Sequence, residues 1–408
     1  MLSEKEIVVG ITGGIAAYKA PELVRMLIKA EARVTAVMTQ NAREFVTPMT
    51  FEVLTGRPVI TDLFAPAAPG AISHIVAADR AHLLLVAPAT ANFLAKLARG
   101  IADDALSTIA LACRAPALIA PAMNVNMWNH PAVQENVALL RKRGVRVLEP
   151  AEGQLACGWE GKGRLAELED IVEEAACTLS PKDLAGKKVL VTAGPTREFI
   201  DPVRYITNRS SGKMGYAVAR VARRRGAEVC LITGPVALKP PTGVRVIKVV
   251  SAREMYTAAI DEADKSDIII KASAVADYRP ITEVSHKIKK GPDKLSLDLT
   301  ENPDILAQIG ARKKHQILVG FAAETSELVK FAETKLQKKN LDLIVANNVT
   351  RPGAGFSVDT NIVLIIDKHG RKAEWPQMPK MEIADKLFDR ILAMMEREEK
   401  SKGRGGKK

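Results

Sequence analysis

Short apolar runs alternate with longer segments of helical periodicity from the start of the chain. Residues 7–11 form an unbroken β-rich run, 16–30 repeat apolar positions at helical spacing, and 33–38 are strand-like again. Residues 83–87, 117–120 and 145–148 continue the alternation. Continuous apolar runs of this length suit strands covered on both faces, as in parallel sheets flanked by helices. The pattern restarts at 188–192 and proceeds through 228–233, 244–249, 268–272, 316–321, 343–347 and 361–367. The expected fold class is therefore α/β, with two doubly wound parallel-sheet domains. Proline and glycine after the helical stretch 166–177 mark the join. The expected boundaries are 1–178 and 187–397, a linker at 179–186, and a basic, disordered tail at 398–408.

At 408 residues the chain exceeds one typical core, and a hydrophobic fraction of 47% is that of a globular protein. No uncharged apolar run is long enough to span a bilayer, and the charged opening residues lead into a strand rather than a signal-peptide core. A cytoplasmic enzyme without membrane contact is expected. The four cysteines, Cys113, Cys157, Cys177 and Cys230, show no Cys-x-x-Cys spacing, so neither zinc nor a redox pair is indicated. Net charge is +12, but Lys400, Lys402, Arg404, Lys407 and Lys408 lie in the Gly-rich tail. The remaining excess is spread over both halves with no nucleic-acid motif, so anionic small molecules are the expected partners.

In the first half the initial βα turn carries Gly13, Gly14 and Ile15. Its glycines permit close approach of a phosphate to a helix start. It is not Gly-x-Gly-x-x-Gly, and the second strand ends at Thr39 without the acid that a dinucleotide ribose requires, which favours a mononucleotide. Further candidates lie where the carboxyl ends of the strands gather: His74, Thr90 with Asn92, Asp103 with Asp104, Asn124, and Cys157 in a Gly-rich stretch. In the second half, Arg204, Asn208, Ser211, Gly212 and Lys213 form a polar, cationic segment between a strand and a helix, suited to phosphate. Ala274 lies in a small-residue strand end, and Asp277 beyond it can hold a metal or a ribose. Lys287 and Lys289 alternate on a β-like stretch that by itself reads as an exposed edge strand blunted by lysine. Asn302 is available as a helix cap before Pro303, Asp304 and Ile305. Phe321 lies near a strand end, and Lys335 and Lys339 share a helical face.

The order Gly-rich turn, His74, Pro-Ala-Met-Asn124 and Ala-Cys157-Gly resembles the flavin-containing cysteine decarboxylases over residues 5–178. Residues 201–215 and 187–397 resemble phosphopantothenate–cysteine ligases. Together they resemble the bifunctional coenzyme A biosynthesis family. The resemblance implies a flavodoxin-like first domain holding FMN through Gly13, Gly14, Ile15, Thr39, Thr90 and Asn92, with Asp103 and Asp104 close by. It implies His74 as base, Asn124 on the substrate carboxylate and Cys157 as acid on a mobile flap. Decarboxylating a cysteine amide leaves a carbanion without an electron sink, and transient oxidation of the thiol supplies one. Relatives usually carry Asp after Ala-Cys-Gly, whereas this chain has Trp159 and Glu160.

For the second domain the resemblance implies a Rossmann-like ligase that uses CTP and Mg²⁺. Asp277, Lys287, Asn302, Pro303, Asp304, Ile305, Phe321, Lys335 and Lys339 would contact the nucleotide, with Asp277 near the metal. Arg204, Asn208, Ser211, Gly212, Lys213 and Ala274 would hold phosphopantothenate and its acyl-cytidylate. Homo-oligomers are implied too: trimers through the decarboxylase domain and dimers through the ligase domain, closing as a dodecamer. An NAD(P) oxidoreductase is the alternative enzyme, and it lacks its glycine fingerprint and downstream acid.

Overall fold

The computed structural model describes residues 2–64, 73–154, 158–290, 295–324, 327–348, 353, 355 and 358–405. The chain divides into two compact units at Ser180/Pro181.

In the first unit β1 (Glu6–Ile11), β2 (Arg33–Met38), β3 (Leu83–Ala89), β4 (Ala117–Pro121) and β5 (Arg146–Val147) form one parallel sheet. An antiparallel hairpin follows, β6 (Ala151–Gln154) and β7 (Glu160–Arg164). The sheet order is β2-β1-β3-β4-β5, the flavodoxin order. Side-chain alternation divides the core in two. Ile7, Val9 and Ile11 pack with Leu23, Leu27 and Ile171 on one face, while Val8 packs with Phe93, Leu94, Val137 and Leu140 on the other. The expected helix at 16–30 is a 3₁₀ turn, Ile15–Lys19, followed by an α-helix, Ala20–Lys29, with Pro21 in its first turn where a missing N–H costs nothing.

The second unit runs β8 (Lys188–Ala193), β9 (Arg197–Phe199), β10 (Tyr205–Thr207), β11 (Glu228–Thr233), β12 (Arg245–Lys248), β13 (Ile268–Lys271), β14 (Tyr278–Pro280), β15 (Leu299–Glu301), β16 (Ile317–Glu324), β17 (Leu343–Asn348), β18 (Thr360–Asp367) and β19 (Lys372–Pro379). Eight of them form the main sheet, ordered β12-β11-β8-β13-β16-β17-β18-β19. Counted along the chain, its parallel strands read 3-2-1-4-5-6, the order of doubly wound dinucleotide-binding sheets. The sheet is not parallel throughout, because β18 and β19 add antiparallel at one edge. β19 carries Pro376 and Pro379, residues that an edge strand tolerates and a central one does not. The pairs β9–β10 and β14–β15 are small separate hairpins.

Three expectations about local structure are corrected. The basic stretch 287–290 forms no strand, having no neighbour with which to pair. Asp304, not Asn302, caps the helix Ile305–Arg312, its carboxylate accepting from the amide of Ala307. The final helix extends from Lys380 to Gly405, into the segment expected to be disordered, where Glu and Lys favour helix.

In both units a buried threonine joins the first strand to the loop after its neighbour. Thr12 Oγ1, just beyond β1, donates to the Pro88 carbonyl (2.8 Å) and accepts from the Thr90 amide (2.9 Å). In the second unit Thr192 Oγ1 on β8 meets Ser273 Oγ beyond β13 at 2.7 Å. Replacing Thr12 with Val keeps its shape and strips the Thr90 amide of its acceptor. The expected cost is about 1–3 kcal/mol. For a unit of this size that lowers the melting midpoint by roughly 2–12 °C. Calorimetry reads the fall, and faster hydrogen exchange at the Thr90 amide locates it.

Candidate functional sites

Sheets of these two orders leave a crevice where successive connections leave for opposite faces, outside the carboxyl ends of the strands. In the first unit that point lies between β1 and β3. Gly13 and Gly14 follow β1 directly, and Thr90 follows β3. The glycines serve different ends. A Cβ on Gly13 would lie 2.3 Å from Asn41 Cβ, so Gly13 admits the neighbouring chain. Gly14 is extended and has room, leaving the approach to the crevice open. Ile15 beside it is exposed.

Thr39 follows β2, its amide donating to the Ile11 carbonyl at the end of β1 (3.1 Å). Its hydroxyl is buried and has no hydrogen-bond partner among the described residues. His74 Nδ1, in the first turn of the helix Ser73–Arg80, is buried and unpartnered in the same way. A buried polar atom without a partner costs about 1–3 kcal/mol, and the Thr39 hydroxyl, just beyond the carboxyl end of β2, is one that a polar ligand would satisfy. Thr90 caps the helix Ala91–Arg99, and Asn92 is exposed in its first turn.

Asp104 has a structural duty. It caps the helix Ala105–Ala112 reciprocally with Ser107 and pairs with Lys96 at 3.0 Å. Burial pushes its carboxyl up, but the Ser107 amide and Lys96 outweigh burial and hold it below the usual range. Asp103 binds the same lysine at 2.6 Å, more exposed. Asn124, beyond β4, caps the helix Val125–Asn129. The Met123 amide donates to the Gly163 carbonyl on β7 at 2.9 Å, so the β6–β7 hairpin is anchored beside Asn124. Cys157 belongs to the connection between those two strands and lies outside the described residues.

In the second unit two cavities open at the carboxyl ends of β8, β13 and β16. The larger, about 330 Å³, is lined by Asn208, Ser211, Gly212, Lys213, Ala274, Phe321 and Lys335 among others. Asn208 donates to the Val275 carbonyl at 2.9 Å. Gly212, at positive φ, precedes the helix Lys213–Arg224, and Lys213 pairs with Asp359 at 2.7 Å. The smaller, about 250 Å³, is lined by Asp277, Asn302, Pro303, Asp304 and Ile305. Asn302 closes its wall, donating to the Ala276 carbonyl at 2.9 Å, while its amide donates to the Asp277 carbonyl at 2.8 Å. Lys339 pairs with Asp304 at 2.8 Å, and Lys335 with Glu324 at 2.6 Å.

Three predicted residues, Arg204, Lys287 and Lys339, line neither cavity, although Lys339 reaches Asp304 on the wall of the smaller one. Arg204 grips the fully buried Asp201 through Nε at 3.0 Å and Nη2 at 2.5 Å, and also donates to the Ile288 carbonyl at 2.7 Å. The Ile288 amide returns a bond to Asp201 at 3.1 Å. This arginine, with three backbone amides, holds the Asp201 carboxyl well below the usual range. Arg204 is thus a clamp on the 287–289 stretch, and lines neither cavity. Lys287 is exposed and also lines neither.

Among the residues of the larger cavity that sequence reasoning missed are the polar side chains Lys271, Asn347, Asn361 and Lys380. The visible signal was a lysine ending the apolar run 268–270. Lys380 had none: it is buried at the start of the last helix, donating to the carbonyls of Gly355 (3.0 Å) and Val358, and burial followed by Lys213 pushes its ammonium down to about 8. Among the described residues no three acidic, His or Cys side chains gather as a metal site. Asp277 lines the smaller cavity.

The flavoprotein family model matches residues 1–180, and the model for the C-terminal domain of DNA/pantothenate metabolism flavoproteins matches 184–395. The chain is 50% identical over 398 residues to the coenzyme A biosynthesis bifunctional protein CoaBC of Bacillus subtilis, covering 97% of this chain and 98% of that one. It is 48% identical to the protein of the same name from Haemophilus influenzae, covering 96% and 98%. A crystal structure of the C-terminal domain of a CoaBC protein is 44% identical, covering 53% of this chain and 99% of that one, with a TM-score of 0.46. With both units matched and the identity running nearly end to end, this chain belongs to the family of coenzyme A biosynthesis bifunctional proteins.

Proposed function

We infer that the chain is a bifunctional enzyme of coenzyme A synthesis. The second unit ligates cysteine to 4′-phosphopantothenate with CTP, and the first decarboxylates the resulting 4′-phosphopantothenoylcysteine to 4′-phosphopantetheine. The observation that carries this reading is the pair of doubly wound sheets, each with polar loops where its winding reverses, and in the second unit two cavities at that point.

In the first unit the orphaned Thr39 hydroxyl and the open Gly14 backbone support FMN at the β1/β3 crevice, with Thr90 and Asn92 on its rim. FMN, when bound, supplies reversible two-electron oxidation of the substrate thiol. His74 takes the thiol proton, and its unpartnered Nδ1 suits a hydrogen-bonding role toward the ligand. Asn124 orients the carboxylate that leaves as CO₂. Cys157, which lies between β6 and β7 in the sequence, returns a proton to carbon.

In the second unit the phosphopantothenate carboxylate attacks the α-phosphate of CTP and pyrophosphate leaves. The cysteine amine then displaces CMP. Asn208, fixed by the Val275 carbonyl, holds the acyl-cytidylate; Lys335 and Lys339 meet the nucleotide phosphates, with Mg²⁺ near Asp277. Lys287 lies outside both cavities of its own unit, which supports delivery to the site of a second subunit. Tyr205, Tyr278, Ile281 and Leu299 are exposed on and around the small hairpins and support that dimer. Ile15, Tyr18, Met49 and Val53 are exposed on the first unit and support its trimer, the two contacts together closing a dodecamer. No helix among the described residues is long and apolar enough to cross a membrane, and the proposed setting is the cytoplasm.

Purified protein is expected to be yellow, with acid releasing FMN. Thr39→Val removes one hydrogen bond to the flavin and is expected to weaken FMN retention about tenfold. It should not lower the melting point of the flavin-free protein, since the hydroxyl is unpaired there. Equilibrium dialysis and calorimetry separate the two effects, and unchanged retention would displace Thr39 from the site.

His74→Asn is expected to slow decarboxylation by at least about 10²-fold. Ligation should continue at the normal rate, because the two sites lie in different units. A coupled CO₂ assay beside a pyrophosphate assay reads both, and a parallel loss would contradict the division of labour.

Lys287→Gln is expected to slow pyrophosphate release by roughly 10²–10³-fold. Asn208→Asp is expected to spare that release and accumulate acyl-cytidylate. A pulse of labelled CTP distinguishes them, and a block at the same step in both variants would overturn these roles.

A further inference from the structure

Lys271 ends β13, the strand beside β8 at the point where the second sheet reverses its winding. It lines both cavities, the larger one holding Asn208 and the smaller one holding Asp277 and Asp304. Its ammonium donates to the Ser273 carbonyl at 2.9 Å and makes no ion pair among the described residues. The neighbouring lysines differ, since Lys335 and Lys339 each hold a carboxylate. A cation lining two adjoining cavities, with no carboxylate paired to it among the described residues, is positioned for negative charge that appears during a reaction.

We propose that Lys271 is a catalytic residue of the nucleotidyl-transfer step, its ammonium contacting both the attacking carboxylate and the α-phosphate as the bond between them forms. The inference rests on the ligase reading above. One carboxylate oxygen attacks the α-phosphorus, the bond from that phosphorus to the bridging oxygen breaks, and pyrophosphate departs with the electron pair. No proton is exchanged, so Lys271 acts through charge alone. Ground-state CTP needs it less than the transition state does, since the carboxylate joins only there. The role therefore falls on kcat more than on the KM for CTP.

The surroundings make the charge titratable. Burial first, then the repulsion of Lys339, lower the Lys271 ammonium to about 8, with Lys335 adding to the repulsion and Asp304 and Asp277 opposing it. Lys380 on the wall of the larger cavity also titrates near 8. A group whose charged form is required loses activity as pH rises through its pKa. An arginine at 271 stays charged throughout that range and has no such limb.

The test measures phosphopantothenate-dependent pyrophosphate release from CTP by the full-length chain, before cysteine is added. Release by the unaltered protein must be present; its absence would remove the ligase reading itself. With release present, Lys271→Ala is expected to lower kcat by about 10²–10³-fold at little change in the KM for CTP. Added methylamine should restore part of that loss. Lys271→Arg is expected to retain activity and to lose the fall in kcat/KM above pH 8. A kcat within threefold of normal in Lys271→Ala would overturn the proposal. If Lys271→Ala does not fold, the arginine variant decides alone: an unshifted limb near pH 8 assigns the titration to Lys380 and overturns the proposal, while its disappearance supports it.

Discussion

A threonine hydroxyl bridges the reversal point of each sheet, and the sites depend on that bridge. Where β1 and β3 part, Thr12 binds both the carbonyl of Pro88 and the amide of Thr90. Where β8 and β13 part, Thr192 meets Ser273, the Ala274 amide donates to the Gly194 carbonyl at 2.9 Å, and Thr196 accepts from the Ala276 amide at 3.0 Å. Connections leaving neighbouring strands for opposite faces would splay the strand ends. The hydroxyls hold them at one spacing, so that loops from different strands line a single crevice. A hydroxyl suits the position because it donates and accepts at once, as that of Thr12 does toward the Pro88 carbonyl and the Thr90 amide.

The clamp of Asp201 and Arg204 applies the same economy to a stretch without secondary structure. Residues 287–289 pair with no strand, yet Ile288 is bound through both its amide and its carbonyl. The basic stretch is fixed at its middle residue, leaving Lys287 and Lys289 exposed on either side. An arginine held by a buried carboxylate makes a stiff support, because moving it would leave a charge unpaired in the interior.

Much of this was legible in the sequence because buried strands and strand-end loops leave strong local signals. The strands at 7–11, 33–38, 188–192 and 228–233 coincide with the observed ones to within a residue or so. Gly13 follows one of the two strands between which the first crevice lies, and the polar segment around Asn208 lines the larger cavity of the second unit. What escaped depends on partners distant in the chain. β19 alternates weakly and contains prolines, so only its place at the edge beside β18 makes it a strand. Lysine alternation at 287–290 imitates a strand where no partner exists. Asn302 precedes a helix as a cap would, but its amide is drawn to Ala276 and the capping falls to Asp304. Arg204 looked like an anion ligand because the buried carboxylate that occupies it, three residues away, shows its burial only in the folded chain.

The proposed nucleotide side of the second unit's crevice is charge-compensated before any ligand arrives. Three lysines, Lys271, Lys335 and Lys339, stand beside four carboxylates, Asp277, Glu301, Asp304 and Glu324, so the ammonium charge is compensated. That balance permits three ammonium groups to converge at the end of a buried sheet, where alone they would repel strongly. A triphosphate entering the crevice competes with Asp304 and Glu324 for Lys339 and Lys335, and a divalent cation offsets the carboxylates it displaces. Affinity for the nucleotide is then a difference between two well-paired states and remains moderate. Lys271, held only by a carbonyl, has no carboxylate to surrender. In the proposed role its interaction with an anionic substrate is undiminished by such an exchange, which is the physical reason for assigning the differential effect to the end of β13.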